Sequence, residues 1–249
     1  MARYFLHISY IGTRFHGWQK QENAQTIQQS IEEALSTILR SERIPITGCG
    51  RTDTGVHASE YFAHFDTDQD LEADDYVFKL NSILHDDIAV HRLFGVDDQA
   101  HTRFDALARQ YTYRFHLKKD PFSQHFSAKL SHELDIDAMN EACHVLLQTK
   151  DFTSFAKINS DTKTNLCDVT RAEWSRQEDS IIFTIEANRF LRNMVRAVVG
   201  TMIEIGKGKM DLQQFKDVIA AKDRSRAGTS APAVGLSLSR VEYPYLQRQ

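Results

Sequence analysis

The densest chemistry in the chain lies in Thr47-Gly48-Cys49-Gly50-Arg51-Thr52-Asp53-Thr54-Gly55-Val56-His57-Ala58. Three of the 11 glycines fall here, and glycine at that density lets a backbone turn sharply and come close to a ligand. Arg51 and Asp53 stand two apart among them. A carboxylate so placed can act as nucleophile or base, and an arginine can hold a phosphate or enter a nucleic-acid stack. The plainer alternative for an aspartate in a glycine turn is an Asx-turn.

Several better-known patterns come close and fail. Gly48-Cys49-Gly50 opens like G-x-G-x-x-G, but the sixth position is Asp53. Gly50 to Gly55 has P-loop spacing, yet Val56-His57 stands where Lys-Ser/Thr belongs. Asp53-Thr54-Gly55 matches the aspartic-protease triplet. That chemistry needs two carboxylates sharing a proton; the chain has one such triplet, and a cationic Arg51 favours the ionised form. His57 and His64 lack a ligand cluster around them and read as hydrogen-bonded turn or strand histidines, so no metal site is expected. Cys49, Cys143 and Cys167, odd in number and without C-x-x-C spacing, fit neither a disulfide framework nor a zinc site.

A second feature lies in Phe190-Leu191-Arg192-Asn193-Met194-Val195-Arg196-Ala197-Val198-Val199-Gly200. Apolar nearly all round, it reads as a buried helix. A buried guanidinium needs a carboxylate partner, and losing that partner costs about 3–5 kcal/mol. Arg192 reads as reaching to the surface. Arg196, among Met194, Val195, Val198 and Val199, reads as the paired, central one.

The elements that must position these residues follow from periodicity. Tyr4, Leu6, Ile8 and Tyr10 alternate as a first strand. Thr26 and Gln29 form a capping box for a helix to about Arg40, with Ile27, Ile31, Leu35, Ile38 and Leu39 on one face. Ile44 to Thr47 and Tyr61 to Phe65 read as strands flanking the glycine-rich turn, Asp75 to Leu84 as helix, Ile88 to Phe94 as strand. The second half starts with the alternation Tyr111, Tyr113, Phe115, Leu117 and a helix over Ile136 to Leu147. Strands follow near Val169–Trp174 and Ile181–Ala187, then helices over Phe190–Ile205 and Leu212–Ala221, then a strand from Leu236 to Tyr243. The order suggests an α/β (α+β) chain of two similar lobes, 1–102 carrying the glycine-rich loop and 103–249.

With 249 residues, 41% hydrophobic and 26% charged, the composition is that of a globular protein with a sizeable core. No apolar run approaches the roughly 20 residues that span a bilayer, and MARYFLHISYIG contains no secretory signal, so a cytoplasmic location without membrane attachment is expected. The net charge of −4 is unevenly spread: residues 1–103 carry 9 basic against 16 acidic residues, whereas the remainder is net positive. Screening beyond about 8–10 Å means that a polyanion feels the local patch. Lys207, Lys209, Lys222, Arg224 and Arg226 are candidates for contacts to a polyanion, with a solvated helix face as the alternative.

Gly50-Arg51-Thr52-Asp53-x-Gly55-Val56-His57-Ala58 resembles the signature of the TruA-type tRNA pseudouridine synthases. The resemblance continues through Tyr10-x-Gly12, Gly17-Trp18-Gln19, Arg103-Phe104, Arg109-x-Tyr111-x-Tyr113, Phe190-Leu191-x-x-Met194-Val195-Arg196, Asp223-Arg224 through Ala227-Gly228, Ala231-Pro232 and Gly235-Leu236. Ile11 stands where the family usually has Asp, and Asp105 where a small polar residue is commoner; both lie outside the catalytic motif. The resemblance implies antiparallel-rich sheets around a central cleft, a homodimer, and tRNA as partner. It implies isomerisation of uridine to pseudouridine in the anticodon stem-loop, at family positions 38–40, without cofactor or metal. Asp53 would be the essential carboxylate and Arg51 its base-flipping neighbour. Tyr111 would stack on the target base, Arg196 would pair with Asp53, and Leu236 would line the pocket.

The reaction breaks the N1–C1′ bond, turns the base and joins C5 to C1′. Asp53 could attack C1′, stabilise its developing positive charge, or abstract a sugar proton; glycoside hydrolysis sets a carboxylate against a similar centre. Tyr111 offers a flat surface for the rotating uracil, and its hydroxyl could relay the C5 proton. Two other functions use the same residues: an RNA-binding protein on this fold without catalysis, and a hydrolase built on Asp53-Thr54-Gly55. The intact Arg51–Asp53 pair weighs against the first and the single triplet against the second.

Overall fold

Strand alternation and helical periodicity account for most elements of the computed structural model, which describes residues 1–158 and 162–246. The chain groups into two compact units, Met1–Leu107 with Leu238–Gln249, and Ala108–Ser237. A division at 102/103 leaves the last strand with the second lobe, whereas Leu238 onward groups with the first unit.

In the first unit, β1 (Ala2–Tyr10), α1 (Ile27–Leu39), β2 (Thr47–Gly48), β3 (His57–Thr67), α2 (Ala73–Ile83) and β4 (Ile88–Val96) follow one another. Strands β4, β1 and β3 pair antiparallel, β2 adds to β3, and β9 (Leu236–Glu242) lies on β3's other side. Tyr4, Leu6, Ile8 and Tyr10 are all buried, as are Ile27, Ile31, Leu35 and Leu39 of α1. Burying each such side chain contributes roughly 1.5–3 kcal/mol. Thr26 caps α1 by accepting from the Gln29 N–H, but the Gln29 side chain turns to Glu33, so only half of the expected capping box forms.

Ile44 to Thr47 is not the strand its apolar character predicts; only Thr47–Gly48 pairs. The backbone groups of the preceding residues bond to α1 instead. Ile44 N–H donates to Ser36 Oγ, Ile46 N–H to Glu32 Oε1, and Ile46 C=O accepts from Gln28 Nε2. Glu32 is 3% exposed and also takes Lys20 Nζ at 3.2 Å, so its burial is compensated.

In the second unit, β5 (Ala108–His116), β6 (Ala128–Lys129), α3 (Ile136–Gln148), β7 (Val169–Gln177), β8 (Ser180–Ala187), α4 (Met194–Gly206) and α5 (Leu212–Ala220) follow in order. Strands β5, β8 and β7 form an antiparallel sheet, with β6 parallel to β5. Both units protect an edge strand in the same way. Asn81 of α2 brackets Val90 of β4 with two hydrogen bonds of 2.8 Å, and Asn140 of α3 brackets Trp174 of β7 at 3.0 and 2.8 Å. A side-chain amide thus satisfies the backbone pair that an edge otherwise exposes.

The expected helix over Phe190–Ile205 begins four residues late, at Met194. Asn193 takes the left-handed conformation, φ 66°, and its side-chain amide donates to Ser230 Oγ at 2.7 Å. Asparagine tolerates that conformation better than most residues. The helix is buried nearly all round, as its composition predicts.

Candidate active site

The glycine-rich loop is pinned at its entry, its middle and its exit. On entry, Cys49 N–H donates to Phe62 C=O, and the Gly50 carbonyl accepts from the Tyr61 hydroxyl. Tyr61 stacks on Trp18 with centroids 4.2 Å apart, and the Tyr61 hydroxyl and the Trp18 ring lie directly against Gly48. In the middle, Thr52 Oγ1 meets the Tyr10 hydroxyl at 2.9 Å, and Thr52 C=O accepts from Trp18 N–H. Asp53 C=O accepts from Val56 N–H at 3.1 Å, closing a turn whose third residue, Gly55, has φ +77°. A turn with positive φ at that place is the reason for glycine there. Gly17, at φ +82°, allows the preceding segment to close on this turn: a Cβ there would lie 2.4 Å from Thr52 O. On exit, His57 Nδ1 accepts from Gly12 N–H at 3.1 Å, which requires an unprotonated Nδ1.

Asp53 is therefore half-buried on a backbone held from both sides, and Arg51 is exposed two residues before it. Arg51 Nε donates to Gln19 Oε1 at 3.0 Å. Gln19, Tyr10, Trp18 and Tyr61 also serve this loop; in the sequence the first three carry only the family resemblance and Tyr61 only a strand position. Their signal is faint: a Gly-Trp-Gln triplet close after the first strand, and aromatic residues that strand alternation already explains.

In the second unit, Tyr111, Arg196 and Leu236 share a framework. Tyr111 on β5 is half-buried, with its ring edge-on to Phe190 at 5.1 Å. Arg196 is the third residue of α4 and half-buried; its Nε donates to Ala231 C=O at 2.7 Å, and Ala231 N–H returns to Arg196 C=O at 2.9 Å. One residue on, Pro232 C=O accepts from the Tyr113 hydroxyl at 2.7 Å. Burial pushes the Tyr113 phenol up, while the charge of Arg196 works in the other direction. The Tyr113 ring also lies against Gly235, at the end of the 3-10 turn that leads into Leu236, itself 5% exposed. Arg196 and Tyr113 thus set the path of the segment that ends at Leu236. Arg192 is exposed, as expected.

The basic residues divide. Lys207 and Lys209, after α4, both face Glu204, at 3.3 and 3.9 Å. Lys222 pairs with Asp151 at 2.8 Å. Arg226 is exposed. Arg224 turns inward: its guanidinium donates to Ala227 C=O, Gly228 C=O and Ser230 Oγ, so its visible work is to hold the loop after it. Among the described residues, no group of three or more His, Cys, Asp or Glu side chains could hold a metal ion, and no helix is long and apolar enough to cross a membrane.

The chain matches the family described as tRNA pseudouridine synthase over residues 7–105 and 142–244. It is 51% identical over 247 residues to tRNA pseudouridine synthase A of Parabacteroides distasonis, covering 98% of this chain and 97% of that protein. The protein of the same name from Porphyromonas gingivalis is 48% identical over 248 residues, covering 98% of each. That of Bacillus subtilis is 38% identical over 239 residues, covering 95% of this chain and 97% of its own.

Proposed function

The chain belongs to the tRNA pseudouridine synthase family, and from that premise we propose that it isomerises uridine to pseudouridine in tRNA, with Asp53 as the essential carboxylate. The observation that carries the assignment of Asp53 is its setting. It is a half-buried carboxylate at the head of a glycine turn, in a loop held by Tyr10 through the Thr52 hydroxyl, by Trp18 through the Thr52 carbonyl and by Gly12 through the His57 ring. A carboxylate that must face one atom of a bound sugar gains from that rigidity, because misplacement by about 1 Å can cost about a hundredfold in rate.

In this reading Arg51 fills the space left when the target uridine leaves the stack, a step that costs a few kcal/mol. Its exposure and its tether to Gln19 suit a side chain that must be kept near its place and still move. Tyr111 stacks on the base, with its ring angle set by Phe190. Leu236 shields the detached uracil from water. Arg196 pairs with Asp53 during the reaction. Its position supports an anionic partner, because a cation in the first turn of a helix opposes the dipole by about 0.3–1 kcal/mol unless compensated. Lys207, Lys209, Lys222 and Arg226 contribute charge toward the RNA backbone, and Arg224 acts mainly by shaping the loop. The anticodon stem-loop is the target, the cytoplasm the location, and a homodimer the assembly. Phe78, Phe104 and Phe122, 73%, 75% and 87% exposed, are apolar surface that a second copy would cover.

The test is release of tritium from C5 of uridine in tRNA, with Asp53→Asn as the comparison. The amide is isosteric but a poor nucleophile and base. The variant should fold and bind tRNA normally and release no tritium. Turnover near the wild-type level would remove Asp53 from the chemistry. Tight tRNA binding without release by the wild type would favour an RNA-binding protein that lacks catalysis.

A further inference from the structure

None of the residues read as touching the reacting uridine lines the pocket between the 3-10 turn Thr153–Phe155 and the chain after α5. Its volume is about 510 Å3, and Lys157, Lys163, Lys222 and Arg224 contribute to its wall. Hydrogen bonds of Ser154, Asn165 and Phe152 hold the wall in place. The Ser154 hydroxyl, 1% exposed, donates to Val218 C=O at 2.6 Å and accepts from Asp223 N–H at 3.1 Å. Across the floor, Asn165 Nδ2 donates to Thr153 Oγ1 at 3.0 Å and Phe152 N–H to Asn165 C=O at 3.0 Å.

Among the described residues, the charges around the pocket do not cancel. Lys222 is held in the left-handed conformation, φ 50°, and is neutralised by Asp151. Among the described lining residues the one acid is Asp223, whose carboxylate accepts from the N–H and hydroxyl of Ser225, both at 2.8 Å, and whose charge offsets one of the three remaining cations, Lys157, Lys163 and Arg224. Among the described residues, Lys157 and Lys163 form no ion pair. Two lysines lining one pocket suit a phosphate group better than a base edge, since lysine binds phosphate as a point charge. Arg224 lines the same pocket and bonds Ala227, Gly228 and Ser230, the segment that runs on to Leu236.

We infer that this pocket takes a backbone phosphate of the bound tRNA through Lys157 and Lys163, and that Arg224 in its wall ties that contact to the loop leading to Leu236. The inference rests on the reading of the chain as a tRNA-modifying enzyme, and it adds two residues and a place to the basic surface that composition marks.

The test compares the wild type with Lys157→Ala/Lys163→Ala, each confirmed as folded by its thermal midpoint. Binding and steady-state tritium release are measured with tRNA from about 50 to about 200 mM salt. Loss of two phosphate contacts should flatten the log–log salt slope by about 1–2 and weaken tRNA roughly tenfold near 0.1 M salt. KM should rise more than kcat falls. Lys118→Ala/Lys119→Ala removes equal charge outside the pocket and should keep the wild-type slope. A wild-type slope and KM in the Lys157→Ala/Lys163→Ala protein would overturn the proposal, as would an effect no larger than the control's. Amine labelling of Lys157 and Lys163 separates the two sources of phosphate. Protection by tRNA supports the proposal; protection by millimolar inorganic phosphate and none by tRNA overturns it. If the wild type binds tRNA but releases no tritium, the synthase reading fails while the binding series still tests the pocket.

Discussion

Replacing Arg196 by Met separates what this side chain does for the fold from what it does for the reaction. Met keeps most of the volume, and the backbone bond from Ala231 N–H to Arg196 C=O survives. The bond from Arg196 Nε to Ala231 C=O, 2.7 Å long, is lost; hydrogen bonds to charged groups contribute about 1.5–3 kcal/mol. Removing a cation from the first turn of α4 returns about 0.3–1 kcal/mol. The net expectation is a destabilisation of roughly 1–2 kcal/mol, a Tm loss of roughly 2–8 °C for a chain of this length. Such a protein remains folded at 25 °C, so a purely structural role leaves kcat nearly intact. If Arg196 also aims and compensates Asp53, about 3–5 kcal/mol is at stake. At 1.36 kcal/mol per tenfold in rate, kcat at saturating tRNA should fall by at least about a hundredfold. Arg196→Lys, which keeps the charge without the planar fork, should lie between. Tritium release, tRNA affinity and Tm are measured on the same preparations. Wild-type kcat in Arg196→Met refutes the pairing. Lost affinity with retained kcat moves the arginine to an RNA contact, and an unchanged Tm refutes the stability argument.

Tyr113→Phe removes the donor to Pro232 C=O and should cost about 0.5–1.5 kcal/mol, lowering Tm and lowering kcat more than tRNA affinity; calorimetry showing no change in Tm would count against it. His64 supplies a pH test of the first unit. Burial, and then the charge of Arg3, lower it from 6.5 to about 4, with His101 acting in the same direction and Asp66 and Asp105 against it. The unfolded chain therefore binds the extra proton first, so stability should fall as pH drops from about 6.5 toward about 4 and this contribution should level off below. His64→Gln should flatten the Tm profile over that interval, and a profile as steep as the wild type's would remove His64 as its source.

Most elements were legible because their hydrogen bonds are local or their faces alternate. The four inward residues of β1 and the Thr26 cap need no knowledge of the rest of the chain. The failures share one cause. Ile44 and Ile46 look like strand residues, but Gln28, Glu32 and Ser36 take their backbone groups from 8 to 18 positions away. Asn193 delays α4 because its amide is committed to Ser230, 37 positions on. Periodicity carries no record of such a partner.

The candidate site divides along the same line. Arg51 and Asp53 announce themselves because their types and spacing are unusual within a glycine-rich stretch. The residues that make them useful do not: Tyr10 and Tyr61 occupy ordinary strand positions, yet one fixes Thr52 and the other the Gly50 carbonyl. Arg224 illustrates the opposite case. Read from charge alone it belongs with Lys222 and Arg226 as a phosphate ligand, whereas its donors go to three groups of the loop ahead of Leu236. A charge count ranks arginines and lysines alike, but only arginine has the fork to hold several acceptors at once. Among the described residues Lys157 and Lys163 have no such commitment, which makes them the better candidates for reaching RNA, and the arginine between them and Leu236 is the better candidate for transmitting that contact.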